Sequence, residues 1–245
     1  MTEFRIQAAG VVAAVTAIYG SSKDYCKAYL TEKMADFAVE ITPADIDFER
    51  EKYIKTSIAE GRSDRTITDS NLELTAIQRK IADQLFQYGT IVFHGSAVAV
   101  DGAAYLFTAK SGTGKSTHTR LWRQMLGDRA VMVNDDKPFL RITKDAVSVY
   151  GSPWDGKHHL NSNICVPLRA ICILERGEEN RIARISAEEA LPMLLQQSNR
   201  PVQAGRMLKF LELMDYLSKN VAFYRLQCNM DPSAAAVAYE SMAKE

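Results

Sequence analysis

Leu106-Phe107-Thr108-Ala109-Lys110-Ser111-Gly112-Thr113-Gly114-Lys115-Ser116-Thr117 decides the fold, because an apolar strand runs into a glycine-rich turn and the turn into a helix. The stretch follows G-x-x-x-x-G-K-[ST] except at its first position, where Ala109 replaces glycine. Gly112 and Gly114 can take positive φ, so successive backbone N–H groups can turn inward on an anion. Lys115 would then reach the β and γ phosphates, and Ser116 would offer its hydroxyl to Mg²⁺. The helix starting near Ser116 would point its positive dipole end at the same anion. The stretch is expected to bind a nucleoside triphosphate, with Ser111, Gly112, Thr113, Gly114, Lys115, Ser116 and Thr117 as binding residues.

The segment before the loop predicts a β-hairpin, with strands Ser96 to Val100 and Ala103 to Thr108 about an Asp101-Gly102 turn. A doubly wound nucleotide-binding fold enters such a loop from a βαβ unit instead. After the loop a helix is expected to about Met125, stopping at Gly127. Val131-Met132-Val133 then reads as a strand ending in Asn134-Asp135-Asp136. Adjacent aspartates after a phosphate loop can divide two tasks, holding a metal on the phosphates and receiving the acceptor's proton. Mg²⁺ favours ionisation of one, while like charge and partial burial raise the proton affinity of the other. No N-K-x-D guanine-reading motif occurs, and no glutamate follows the aspartates, which argues against a GTPase switch or a transport ATPase.

The remaining chain predicts a small N-terminal α/β region, residues 1–68, and a second domain, residues 69–245. In the first, Phe4, Ile6 and Ala8 alternate as a strand, Gly10 turns the chain, and a helix is expected from Ser21 to about Leu30. A strand should follow at Phe37 to Ile41, then a short acidic helix opened by Thr42-Pro43. Ala59 to Asp69 reads as a linker. Ser70-x-x-Glu73 has the form of a capping box for a helix ending at Gly89. Strands Ile91 to Phe93, Phe139 to Ile142 and Val147 to Tyr150 are expected. So are a hairpin of Ala170 to Glu175 with Arg181 to Ile185, and a helix capped by Ser186-x-x-Glu189. Met207, Leu208, Leu211, Met214 and Leu217 form a helical apolar stripe, Phe223 to Gln227 a strand, and Asp231-Pro232 the start of a last helix.

The 245 residues are 47% hydrophobic, and 30 Lys plus Arg balance 30 Asp plus Glu, so no global field favours nucleic acid. The apolar Ala8 to Ile18 stretch fits a hairpin better than a secretion signal, and no run suits a membrane span. The four cysteines, Cys26, Cys165, Cys172 and Cys228, form no C-x-x-C pair and read as reduced core thiols of a cytoplasmic protein.

His94-Gly95-Ser96, Asp101-Gly102, the 111–117 loop and Asn134-Asp135-Asp136, in this order, resemble the catalytic core of the HPr serine kinase/phosphorylase family. Ser152-Pro153-Trp154-Asp155-Gly156-Lys157 extends the similarity to HPr-kinase-like proteins. The resemblance implies an α/β fold with the P-loop core shared with phosphoenolpyruvate carboxykinases. It also implies an ATP- and Mg²⁺-dependent kinase acting on a hydroxyl, with serine the expected acceptor, of a peptide, protein or small molecule; the alternative is a non-catalytic ATP-binding regulatory protein. Catalytic roles are implied for His94, Lys115, Asp135 and Asp136, with Asp135 preferred as base and Ser116 and Asp136 as metal contacts. Neither nucleic acid nor membrane is implied as a partner, and a homo-oligomer is left open. Thr117-His118-Thr119 stands where the authentic enzyme carries Glu, and its late glycine-rich loop is not recognisable here, so HPr and phosphorolysis are not implied. Trp154 reads as a core aromatic, Arg200 as a solvated arginine or a mobile charge for the transition state, and His158-His159 as no metal site.

Overall fold

The computed structural model describes residues 1–59, 61, 67–201 and 203–243. By its contacts the chain forms two compact units, Met1–Leu85 and Phe86–Glu245. The first holds strands β1 (Thr2–Ala8), β2 (Val11–Ala17) and β3 (Phe37–Glu40) with helices α1 (Ser21–Tyr25), α2 (Pro43–Ala59) and α3 (Asp69–Leu85). The β1–β2 hairpin turns on Ala9 and Gly10, both at positive φ (52° and 78°), and β3 adds parallel to β2. Phe4, Ile6 and Ala8 point inward, as their alternation predicts. The helix expected over Ser21 to Leu30 is only five residues of α-helix and then a 3-10 turn, Lys27–Tyr29. The helix from Pro43 is longer than expected, 17 residues, and its first turn closes when Thr42 donates both N–H and hydroxyl to the Asp45 carboxylate.

The Ser70-Glu73 capping box does not form. α3 begins at Asp69, so Ser70 lies within the helix, and Thr68 Oγ1 accepts the Asn71 N–H. The Glu73 side chain is fully buried and instead accepts N–H groups of Ile18 and Tyr19 and the hydroxyl of Ser22. A partner more than fifty residues away outcompetes the local cap because it satisfies three donors around the start of α1. α3 belongs by contacts with α1, α2, β2 and β3, so the compact unit extends past residue 68 to Leu85. Most of the expected linker, residues 60 and 62–66, lies outside the described residues.

The second unit is a mixed α/β structure around one nine-stranded sheet. Its strands are β4 (Thr90–Val92), β5 (Ser96–Val100), β6 (Ala103–Thr108), β7 (Ala130–Asn134), β8 (Phe139–Ile142), β9 (Val147–Tyr150), β10 (Cys165–Arg176), β11 (Arg181–Ile185) and β12 (Ala222–Cys228). The order is β4-β8-β9-β10-β6-β5-β7, with β12 joined to β10 and β11 to β12. The β5–β6 hairpin forms as read, Val100 opposite Ala103 and Asp101-Gly102 at φ of 50° and 82°. β10 and β11 do not form the expected hairpin: β12 pairs parallel to β10 and antiparallel to β11, separating them. Phe223 and Leu226 make β12 an interior strand, which a reading limited to neighbouring segments cannot supply.

Helices α4 (Lys115–Leu126), α5 (Ala187–Gln197), α6 (Ala204–Asn220) and α7 (Ser233–Ala243) complete the unit. Leu106, Ile171 and Ile173 pack with α5 and α6, whereas Phe107, Cys172 and Leu174 pack with α4 and α7. Successive residues of β6 and β10 therefore serve opposite faces, which is why these strands read as unbroken apolar runs. The Ser186-Glu189 capping box is present on α5. On α6 the buried stripe is Phe210, Leu213, Met214 and Leu217, at helical spacing; Leu208 and Leu211, assigned to the stripe from sequence, are exposed. Cys26 and Cys172 are buried, but Cys165 is exposed, so not all four thiols belong to the core. Among the described residues no helix is long and apolar enough to cross a membrane.

Gly95 sits where a Cβ would lie 2.9 Å from the Phe107 carbonyl oxygen and 3.0 Å from Leu106 Cδ1. Gly95→Ala is expected to lower unfolding free energy by about 1–3 kcal/mol through overpacking between β5 and β6. Urea unfolding checks this; an unchanged midpoint would contradict the close approach.

Candidate active site

β6 enters the 109–114 loop and α4 leaves it at Lys115. Gly112 and Gly114 adopt φ of 77° and 121°, conformations that a side chain would strain. Ala109 is buried, and its carbonyl oxygen accepts Lys115 Nζ at 3.2 Å, so the lysine folds back over the loop. Ser111 and Ser116 are exposed, while Thr113 and Thr117 are half-buried. The loop is clamped from β10, where Arg176 Nη2 donates to the Gly112 carbonyl at 2.7 Å.

The carboxylates stand at the end of β7. Asn134, fully buried, accepts the N–H groups of Asp136 at 2.8 Å and Lys137 at 2.7 Å through Oδ1. Its Nδ2 donates to the carbonyls of Ser152 and Trp154. An asparagine side chain that mimics a backbone turn thus fixes where Asp135 and Asp136 leave the strand. Asp135 is 4% exposed and accepts the Ser96 hydroxyl at 2.7 Å; Ser96 in turn lies 2.9 Å from the Thr119 hydroxyl of α4. Ser116, on α4, also favours the charged form of the Asp135 carboxylate. Burial raises its proton affinity, and the bond from Ser96 together with the influence of Ser116 opposes that rise. Gly156 packs so close that a Cβ there would sit 3.1 Å from Asp135 Oδ2.

Asp136 is more open. His94 Nε2 lies 3.3 Å from its Oδ1 and Lys137 Nζ 4.0 Å. His94 is held by its backbone, its N–H donating to the Gln197 carbonyl and its carbonyl accepting Thr108 Oγ1. Desolvation pushes the His94 pKa down to about 4, with Lys137 and Lys115 adding to the fall and Asp136 opposing it. Desolvation likewise lowers the Lys115 pKa, against the pull of Asp136 and Asp135. His94, Lys115, Ser116, Asp135 and Asp136 are therefore linked in one neighbourhood by contact or by mutual charge.

Other residues singled out from sequence fall elsewhere. Trp154 is buried with its ring 6.0 Å from that of Phe139, a core role. Asp155 engages His159 and Asn161, and Lys157 is exposed. Arg200 is exposed, following Asn199, whose N–H donates to the Val92 carbonyl. Sequence reasoning assigned no role to Ser96, Thr119, Lys137, Gln197, Gly156 or Arg176. Asn134 carried a readable signal, since Asn before paired acids favours a side-chain-closed turn.

A family model described as SynChlorMet cassette protein ScmC matches residues 62–233, more than half of the chain. The chain belongs to this family. The matched span includes the 109–117 loop, the Asn134-Asp135-Asp136 turn and the 152–156 segment packed against it. No curated protein matches the chain. Among solved structures, an HPr(Ser) kinase/phosphatase from Coxiella burnetii is similar at 12% identity and a TM-score of 0.37, over 62% of this chain and 97% of that one.

His118, on α4, is also driven down to about pKa 4 by burial. Both histidines bind protons less tightly folded than unfolded, so folding excludes protons between about pH 6.5 and 4. Their contribution to stability is complete above the unfolded pKa and lost as pH falls toward 4. Imidazole NMR titration should find both rings neutral at pH 7 and at pH 6; a midpoint near 6.5 for either would contradict its burial.

Proposed function

We propose that the chain is a Mg-ATP-dependent phosphotransferase that moves the γ-phosphoryl group to a hydroxyl of a peptide, protein or small molecule, with serine the preferred acceptor. The observation that carries this reading is the convergence of the loop lysine with the carboxylates: Asp136 and Asp135 act on the charge of Lys115, and His94 Nε2 lies 3.3 Å from Asp136. A triphosphate on the backbone of residues 109–116 would draw Lys115 from the Ala109 carbonyl to its β and γ oxygens. ATP and Mg²⁺ are the cofactors this reading requires.

Ser116 and the two aspartates offer hard oxygen donors, the type that suits Mg²⁺ shared between protein and phosphates. Bound Mg²⁺ would neutralise charge on the transferring group. Because Ser116 already favours the charged form of Asp135, we assign these two as the metal contacts and Asp136, beside His94, as the proton acceptor. The acceptor oxygen then bonds to the γ phosphorus while its proton passes to Asp136. The bond from the γ phosphorus to the β–γ bridging oxygen breaks, and its electron pair leaves with ADP. His94, neutral when its pKa is near 4, positions the Asp136 carboxylate without neutralising it. The converse assignment, Asp135 as base and Asp136 on the metal, draws support from the raised proton affinity of Asp135. A purely regulatory ATP-binding protein would need the loop but neither aspartate nor His94.

Lys115→Ala should abolish measurable Mg-ATP binding with the fold retained; unchanged affinity in calorimetry would remove the reading. With γ-labelled ATP and hydroxyl acceptors, Asp136→Asn should lower transfer by roughly 10²- to 10⁴-fold with ATP binding kept, the loss typical of a positioned base. Asp135→Asn should also shift the Mg²⁺ requirement. The opposite pattern would exchange the two roles, and small equal losses would remove both from the chemistry.

A further inference from the structure

Lys137 follows the two aspartates and precedes Pro138, and a residue before proline is biased toward extended backbone. Its N–H donates to Asn134 Oδ1 at 2.7 Å, and its carbonyl accepts the hydroxyl of the fully buried Ser152 at 2.6 Å. On either side, the Asp136 carbonyl accepts the Gly95 N–H and the Pro138 carbonyl accepts the Phe93 N–H. The backbone that carries this lysine is therefore held at each residue from 136 to 138, while its side chain remains 28% exposed.

The ammonium is turned toward the catalytic groups. Lys137 Nζ lies 4.0 Å from Asp136 Oδ1, the oxygen that His94 Nε2 approaches to 3.3 Å. Desolvation is the first cause of the low His94 pKa, and Lys137 is the second, ahead of Lys115. Desolvation is also the first cause of the lowered Lys115 pKa, to which Lys137 adds and which Asp136 opposes. Two ammonium groups thus act on each other and on one carboxylate, the first arriving from the phosphate loop and the second from the Asn134 turn. Like charges gathered in this way favour the arrival of further negative charge.

We propose that Lys137 is a catalytic residue of phosphoryl transfer, its ammonium binding the oxygens of the phosphoryl group as that group passes from ADP to the acceptor. The assignment rests on the kinase reading and deepens it. The γ phosphorus leaves the β–γ bridging oxygen and bonds to the acceptor oxygen, whose proton goes to Asp136; Lys137 keeps its own proton throughout. Lys115 would meet the β and γ oxygens in the ground state. Lys137 stands with Asp136 and His94, where the acceptor hydroxyl gives up its proton, so its contact strengthens as the phosphoryl group moves away from ADP. An interaction stronger in the transition state than in the ground state raises the rate without tightening ATP.

Calorimetry on the full chain with two probes tests this. A non-hydrolysable ATP analogue with Mg²⁺ reports the ground state, and Mg-ADP with tetrafluoroaluminate reports the phosphoryl group in transit. Lys137→Met, which keeps an unbranched stem and removes the charge, should leave affinity for the analogue within about twofold and weaken the tetrafluoroaluminate complex by roughly 10²- to 10³-fold, the loss typical of one preorganised donor. Lys137→Arg should recover part of that loss, since it restores the charge in a different geometry. A folded Lys137→Met chain that loses both probes equally, or neither, would overturn the assignment and leave the triphosphate site standing, as would Lys137→Arg no better than Lys137→Met. Wild type that binds neither probe would remove the kinase reading together with this role. Should Lys137→Met not fold, nitrogen NMR of the wild-type Lys137 ammonium replaces it: the resonance should move when tetrafluoroaluminate is added to the Mg-ADP complex, and an unmoved resonance would overturn the proposal.

Discussion

The buried amide of Asn134 is the constraint on which the site depends. It takes two backbone N–H groups from the residues that follow it and gives its own N–H groups to the 152–154 segment. One side chain thereby closes the turn that presents Asp135 and Asp136 and ties it to the segment carrying Gly156. An apolar replacement would leave several buried donors and acceptors unmatched at once, each costing on the order of 1–3 kcal/mol. The aspartates are thus aimed by the fold and not by their own interactions.

Charge in the site is arranged in opposition. Lys115 and Lys137 lie in the field of the aspartates, and His94 is desolvated and pressed toward its neutral form between them. Asp135 is enclosed by Ser96, Ser116 and the Gly156 backbone, whereas Asp136 faces the more open side with His94. Two adjacent residues of the same type therefore meet different surroundings, because successive side chains leaving a strand point opposite ways. This is the condition under which paired carboxylates take separate tasks.

Local chemistry was legible in the sequence, and long-range pairing was not. Asp101-Gly102 announces its hairpin because few residues tolerate consecutive positive φ, and Ser186-Glu189 announces a helix start because both partners lie within one turn. The loop glycines are visible for the same reason. Ser70-Glu73 carried the same signature and misled, since Glu73 finds donors on Ile18, Tyr19 and Ser22. The placement of β12 between β10 and β11 depends on sheet assembly, which no window of neighbouring residues records. In the site, Asp135 and Asp136 could be named from their position after a strand. Their different surroundings could not, because these come from Ser96 on one strand, Ser116 on a helix and His94 on a distant turn.

The central claim is that the 109–116 loop and the Asn134 turn together form one triphosphate site. A crystal structure with Mg²⁺ and a non-hydrolysable ATP analogue tests it most directly. The account predicts the β and γ phosphates on the backbone N–H groups of that loop, Lys115 moved from the Ala109 carbonyl to the phosphates, and Mg²⁺ between Ser116 and Asp135. An analogue bound elsewhere, or a loop whose lysine remains on Ala109 under saturating ligand, would contradict it.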